Sequence, residues 1–282
     1  VVLGWHEAAT DLPGRDGVRL LAEATFERPR LRPWVDSSVD PVGALSRACL
    51  AVKPPGPGIC RVCCGPSDEA RDLCTSCTKV ERGVDRPLHP VTPISLTTRA
   101  TGLYAALKQY KGRPNHLAFR QRNRLAELIG SFLEAHRTCV APDGYDTAVV
   151  VPSLGLGAAS HPLGSTLRMA GLEGRGLADA LFVGPGRLDR NVADRCAYVC
   201  RRELVEGRRV LLVDDTYTTG AHLHSAAAAL EEADARSVHL LVVGRHQRSE
   251  WAPGRALIRW AALRENVWTP NVCVRCRRGL AL

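Results

Sequence analysis

The chain has 282 residues, 45% hydrophobic and 24% charged, ordinary proportions for a globular protein with one large domain or a core domain with attachments. Its formal net charge of +9 favours polyanionic partners such as phosphorylated metabolites or nucleic acid, although an arginine-rich proteome gives the same excess. No run approaches the roughly 18 uncharged apolar residues of a membrane-spanning helix. The opening VVLGWHEAATDLPGRDG does not read as a signal peptide. The expectation is a cytoplasmic protein whose eleven cysteines stay reduced.

Residues 1–58 read as an N-terminal extension. A short helix is predicted over Arg19–Arg28, prolines stand at 29, 33 and 41, and KPPGPG at 53–58 marks a stiff linker. Residues 59–85 hold two CxxC knuckles, Cys60/Cys63 and Cys74/Cys77, ten residues apart. Such knuckles fold back on each other and offer four thiolates to a tetrahedral zinc ion. A segment this short has no core of its own, so the metal would supply most of its folding free energy. Redox thiols or a decayed site are the alternatives, and the adjacent Cys64 makes the ligand choice ambiguous.

A connector with Pro87, Pro90 and Pro93 follows. From about residue 99 the pattern turns helical, and in RLAELIGSFLEAH the residues Leu125, Leu128, Ile129, Phe132 and Leu133 recur at helical spacing. Between Arg99 and Arg124 lie seven basic residues and no acidic one, with Tyr104, Tyr110 and Phe119 interleaved. Cations beside aromatics suit a single nucleic-acid strand; a solvated basic helix face is the plainer reading. Strand-like and helical runs then alternate. TAVVV (147–151) reads as a strand and 161–171 as a helix, and ALFV (180–183) is a weaker strand. VLLV (210–213) is a strand, 221–233 a helix and SVHLLVV (237–243) a strand. Alternation of this kind predicts a mostly parallel sheet with helices on both faces.

The run VLLVDDTYTTGAHL at 210–223 carries the chemistry. In open parallel sheets ligands bind beyond the carboxyl ends of the strands, where Asp214 and Asp215 stand. Ionised carboxylates accept hydrogen bonds, which suits the vicinal hydroxyls of a sugar. Thr216, Tyr217, Thr218, Thr219 and Gly220 then lead into a helix whose first amides and dipole favour a phosphate. The segment reads as a cradle for ribose 5-phosphate. A plain turn with helix-capping residues is the alternative.

The run resembles the phosphoribosyl-pyrophosphate (PRPP) signature of type I phosphoribosyltransferases. Its wording, LVDDTYTTGA, is most similar to the ComF-like branch associated with competence and DNA uptake. That branch also has a four-cysteine module and an LK-Y-G segment, matched here by CRVC…CTSC and by LKQYKG at 107–112. The likeness covers about residues 60–245. It implies an α/β phosphoribosyltransferase-like domain over 95–250, a parallel sheet flanked by helices, behind a small zinc-ribbon-like module, with 251–282 as a C-terminal tail. It implies a glycosyltransferase acting on PRPP with Mg²⁺ and an unknown nitrogen acceptor. Asp214 and Asp215 would serve catalysis, Thr216–Gly220 the phosphate and ribose, and Ser153, Arg187 and Arg190 are candidate pyrophosphate contacts. The competing expectation is a non-catalytic DNA-uptake accessory protein that binds single-stranded DNA or uptake proteins.

Two features stand apart from the family pattern. The loop after TAVVVPS has no lysine or arginine before Arg168, and His222 stands where threonine is usual. A third CxxC, Cys273/Cys276, sits in a basic tail. Two thiolates are too few for a closed metal site; partnership with another subunit's site, redox chemistry or no role are its readings, and the last is preferred. Cys49, Cys139, Cys196 and Cys200 read as small buried apolar residues.

Overall fold

Strict alternation along the central strands builds two cores, one on each side of a sheet. The computed structural model describes residues 47–112, 115–152, 161–172, 176–263 and 266–276. The helix expected over Arg19–Arg28 lies outside them. In chain order the elements are α1 (Thr75–Val84), β1 (Val91–Thr97), α2 (Gly102–Gln109), α3 (His116–Val140) and β2 (Thr147–Val150). Next come α4 (Pro162–Leu167), β3 (Leu177–Ala178), β4 (Leu181–Val183), β5 (Tyr198–Cys200) and β6 (Arg209–Tyr217). The last are α5 (Ala221–Glu232), β7 (Ser237–His246) and α6 (Ala252–Ala261).

Five strands form one sheet in the order β1-β7-β6-β2-β3, and every pairing in it is parallel. On β6, Val210 and Leu212 enter one core with Val149, Leu240, the buried face of α5, α1 and the first cysteines. Leu211 and Val213 enter the other, with Ala148, Leu241 and residues of α2, α3 and α4. Period-two side-chain placement on a sheet buried on both faces produces this division. The α/β architecture read from the sequence is the one observed, and it follows the four-cysteine group.

Several local readings change. The segment 180–183 is a strand, but it pairs antiparallel with β5 in a separate two-stranded ribbon. The helix over 161–171 ends at Leu167 and continues as a π-turn, Arg168–Leu172, with Gly171 at φ +85°. The proline-rich connector contains β1, fully buried along its length. Among the described residues β1 is the outermost strand of the sheet and β7 is its one strand partner, which tolerates Pro93. Leu50 covers part of that edge, accepting from the Leu96 amide at 2.9 Å.

The tail is packed back on the sheet as well. Trp268 is buried, and its indole donates to the Ile94 carbonyl at 2.8 Å. Arg275 donates to Thr92 Oγ1 at 3.1 Å and to the Val91 carbonyl.

Candidate functional site

Asp214 and Asp215 stand in the last residues of β6, which extends past the predicted VLLV to Tyr217. Alternation sends them to opposite sides of the strand. Asp215 falls on the side of α2 and α3, where it is buried, accepts a hydrogen bond from the Tyr110 hydroxyl and lies 2.5 Å from Lys111 Nζ. Tyr110 and Lys111 belong to the LKQYKG segment. The sequence marks that segment as a resemblance and as part of the basic, aromatic stretch suited to a nucleic-acid strand; nothing local indicates that it closes on the acidic pair. Burial and the Asp215 carboxylate together hold the Tyr110 hydroxyl well above its ordinary pKa, so it serves as a hydrogen-bond donor.

Asp214 is half-buried and accepts from the Asp215 amide at 2.8 Å. Loss of water contact, then the neighbouring Asp215 carboxylate, push its pKa upward, while Lys111 opposes them. Both aspartates border a cavity of about 1000 Å³. It runs along the strand ends, from Val151 and Pro152 after β2, past β6, to Arg248 and Glu250 after β7.

The signature loop closes one wall. Thr216 through Gly220 all border the cavity, and Gly220 leads into α5. Gly220 has φ +90°, and a Cβ there would stand 2.1 Å from the Tyr217 hydroxyl. Only glycine fits that turn. The N-cap Gly220 offers no side chain to α5 and no acidic residue occupies its first turn; the Thr219 hydroxyl oxygen accepts from the Ala221 amide at 3.5 Å, and the helix dipole favours negative charge at the cavity rim. The Thr219 hydroxyl donates to the Arg190 carbonyl, which ties the loop to the segment between β4 and β5. Thr218 is exposed to solvent.

Tyr217 borders the cavity, but its ring is only 1% exposed and is turned into the core. Its hydroxyl lies 3.5 Å from Cys77 Sγ and 3.4 Å from His224 Nε2. Behind it sits Arg245, a residue the sequence did not single out. Arg245 is buried and donates to the carbonyls of Cys63, Tyr217, Thr218 and His246 and to Cys63 Sγ. Its guanidinium also lies 4.9 Å from the Tyr217 ring centroid. One buried cation thus fastens the loop backbone to the cysteine group.

Ser153 lies outside the described residues. Arg190 borders the cavity, whereas Arg187 is exposed, pairs with Asp189 at 3.2 Å and is absent from the cavity wall. The shortage of cations after β2 is offset from elsewhere in the chain. Arg99, Lys108, Lys111, Arg190 and Arg248 border the cavity, against the carboxylates of Asp214, Asp215 and Glu250. His161, His222 and His246 also border the cavity, all three with pKa values lowered chiefly by burial. His222 Nδ1 is 2.9 Å from the Tyr198 hydroxyl on β5.

The basic stretch Arg99–Arg124 is only partly available to an outside partner. Lys111 is engaged by Asp215, Arg122 donates to the Tyr110 carbonyl at 3.0 Å, and Arg124 is buried.

Cys60, Cys63, Cys74 and Cys77 are all buried, with their sulfurs within 4.8 Å of one another. Cys63 and Cys74 are 3.7 Å apart. A tetrahedral zinc with Zn–S of about 2.3 Å requires sulfur–sulfur edges of about 3.8 Å, so the donor set fits that ion. Cys64 is excluded from the group. Its backbone is left-handed (φ +56°), and its side chain packs with Ile59, Leu96 and Leu257. Arg245 beside Cys63 suits the charge, since four thiolates on one zinc leave a net negative cluster.

No family model matches the chain, and no curated protein matches it. Three solved structures are similar to it in part. The allosteric regulatory enzyme of purine biosynthesis is 21% identical over 49% of this chain and 30% of its own, with a TM-score of 0.32. The glutamine phosphoribosylpyrophosphate amidotransferase from B. subtilis, complexed with ADP and GMP, is 17% identical over 62% and 46%, with a TM-score of 0.34. A phosphoribosyltransferase from Corynebacterium diphtheriae is 22% identical over 51% and 92%, with a TM-score of 0.28. The chain spans less than half the length of the first two.

Proposed function

We propose that the cavity at the strand ends binds PRPP, or another ribose 5-phosphate group, and transfers the phosphoribosyl unit to a nitrogen acceptor. The observation that carries this reading is the continuity of three elements at one rim: the Asp214–Asp215 pair, the Thr216–Gly220 loop and the start of α5, whose first turn holds no acidic residue. Asp214 accepts from the ribose hydroxyls and orients C1. Asp215 is occupied by Tyr110 and Lys111, and its part is to fix the strand end and hold Lys111 at the cavity. Loop amides and the hydroxyls of Thr216 and Thr218 take the 5-phosphate, while Thr219 holds the loop to Arg190.

In the reaction the C1–O bond to pyrophosphate breaks with its electron pair leaving on oxygen. A C1–N bond forms, and the acceptor nitrogen releases a proton to solvent. Negative charge grows on the leaving group, and the cations bordering the cavity are arranged to meet it. Mg²⁺, bound through pyrophosphate and ribose oxygens, would neutralise part of that charge. Supply of cations from Arg99, Lys108, Lys111, Arg190 and Arg248 answers the bareness of the loop after β2. This cationic cavity also favours a phosphorylated metabolite over the DNA-uptake reading, because Arg99, Lys108 and Lys111 of the basic stretch border the cavity.

The test is thermal unfolding with PRPP and Mg²⁺, on the native chain and on Asp214→Asn. Ligand at about 100 times its dissociation constant stabilises a fold by about 2.7 kcal/mol. The native protein is expected to shift and the variant to stay. Pyrophosphate release in a screen of nitrogen acceptors then separates transfer from binding. Equal shifts for both proteins, or none at millimolar ligand, would remove the reading.

A further inference from the structure

The C-terminal CxxC does not stand alone. It lies against the end of α3, where His136, Cys139, Cys273 and Cys276 each present one donor atom, all four within 4.8 Å of one another. His136 Nδ1 is 3.8 Å from Cys139 Sγ and 3.7 Å from Cys276 Sγ. A tetrahedral zinc with bonds of about 2.3 Å to sulfur and 2.0–2.1 Å to nitrogen places such nitrogen–sulfur edges at about 3.6 Å.

Several features hold this arrangement. His136 is buried, and Cys273 is buried in the core shared by Leu125, Ile129, Phe132 and Leu133. The backbone leaves helical geometry at His136 (φ −133°, ψ 21°), so α3 bends where the ring must turn towards the tail. The ring packs on Phe132 with centroids 5.0 Å apart. From the other side, Trp268 and Arg275 anchor the tail to β1. The Arg275 amide points at Cys273 Sγ, 3.4 Å away, a contact that favours a thiolate.

We infer that His136, Cys139, Cys273 and Cys276 form a second metal site that binds zinc and staples the C-terminal segment to α3. Three soft sulfurs and one imidazole make a donor set that selects zinc over hard cations. Four protein ligands close the coordination sphere, so the site is structural and leaves no position for substrate. This replaces the reading of Cys273/Cys276 as residues without a role and of Cys139 as a buried apolar filler. It does not depend on the activity proposed for the cavity.

The experiment measures metal content of the full chain purified under reducing conditions without chelator, followed by cobalt substitution. The expected content is two zinc ions per chain, falling to one in Cys273→Ser/Cys276→Ser. His136→Cys provides a variant that keeps four ligands. It should retain two metals, and its cobalt form should show visible bands moved to longer wavelength as one site gains a thiolate. One zinc per native chain, two in the double serine variant, or an unchanged cobalt spectrum in His136→Cys would each overturn the assignment.

Discussion

One cysteine-rich cluster lies on each side of the central sheet, and the two differ in what they touch. The Cys60/Cys63/Cys74/Cys77 group shares the core of α1 and α5 and reaches the signature loop directly, through Tyr217 and Arg245. The His136/Cys139/Cys273/Cys276 group belongs to the core of α3 and clamps a tail that borders β1. Cys276 and His136 are 140 residues apart in the chain, so their link acts by restricting the unfolded chain as well as by ordering the tail. The first cluster is therefore part of the cavity's foundation. The second is a fastener remote from it.

The largest effect expected from this contrast comes from Cys60→Ser/Cys63→Ser. Loss of a structural metal belongs with the mutations costing more than about 4 kcal/mol, and the loop loses its support at the same time. Thermal unfolding with and without PRPP should show a much lower midpoint and no ligand response. Cys273→Ser/Cys276→Ser should lower the midpoint while the ligand response persists. If both pairs silence the response equally, the two clusters do not differ in the way described.

Arg245→Leu comes next. It removes a buried cation from a negatively charged cluster and leaves four carbonyls without their donor. Breaking a buried charge pairing from one side costs about 3–5 kcal/mol. Zinc should be retained, while the affinity of the loop for PRPP falls. Arg245→Lys should recover little, because a single ammonium cannot span that set of acceptors. Full recovery by lysine would mean that Arg245 contributes charge alone.

The same contrast explains what the sequence made legible. The two CxxC knuckles, the strand-to-loop signature and the alternating elements are local patterns, each contained in a short stretch, and the architecture followed from them. Tyr110 on Asp215, Arg245 behind the loop and His136 with the tail cysteines are pairings between distant segments, and no periodicity encodes them. For His136 a weak signal exists: a histidine on the apolar stripe of α3, three residues before a cysteine, in a chain with an unmatched CxxC. Strand β1 was hidden for a different reason. A proline at an outermost strand looks like a loop until the pairing partner is known.

The smallest effect separates stability from function at Asp214 itself. Its folded-state pKa is raised by burial and by Asp215, so between the unfolded value of about 3.9 and the raised folded value the native state holds more protons than the unfolded one. Stability must fall as pH climbs through that window and level off above it. Asp214→Asn removes the penalty, and the amide oxygen still accepts the Asp215 N–H bond. With Asp214 half-buried and Lys111 offsetting part of the effect, the gain at neutral pH is on the order of 1 kcal/mol, or roughly 2–4 °C. It should vanish below about pH 3.9. A variant that is more stable and yet indifferent to PRPP identifies a carboxylate held near its neighbour for the ligand's sake. A variant less stable at neutral pH would show that the Asp214 charge supports the fold, and the acidic pair would then be scaffold.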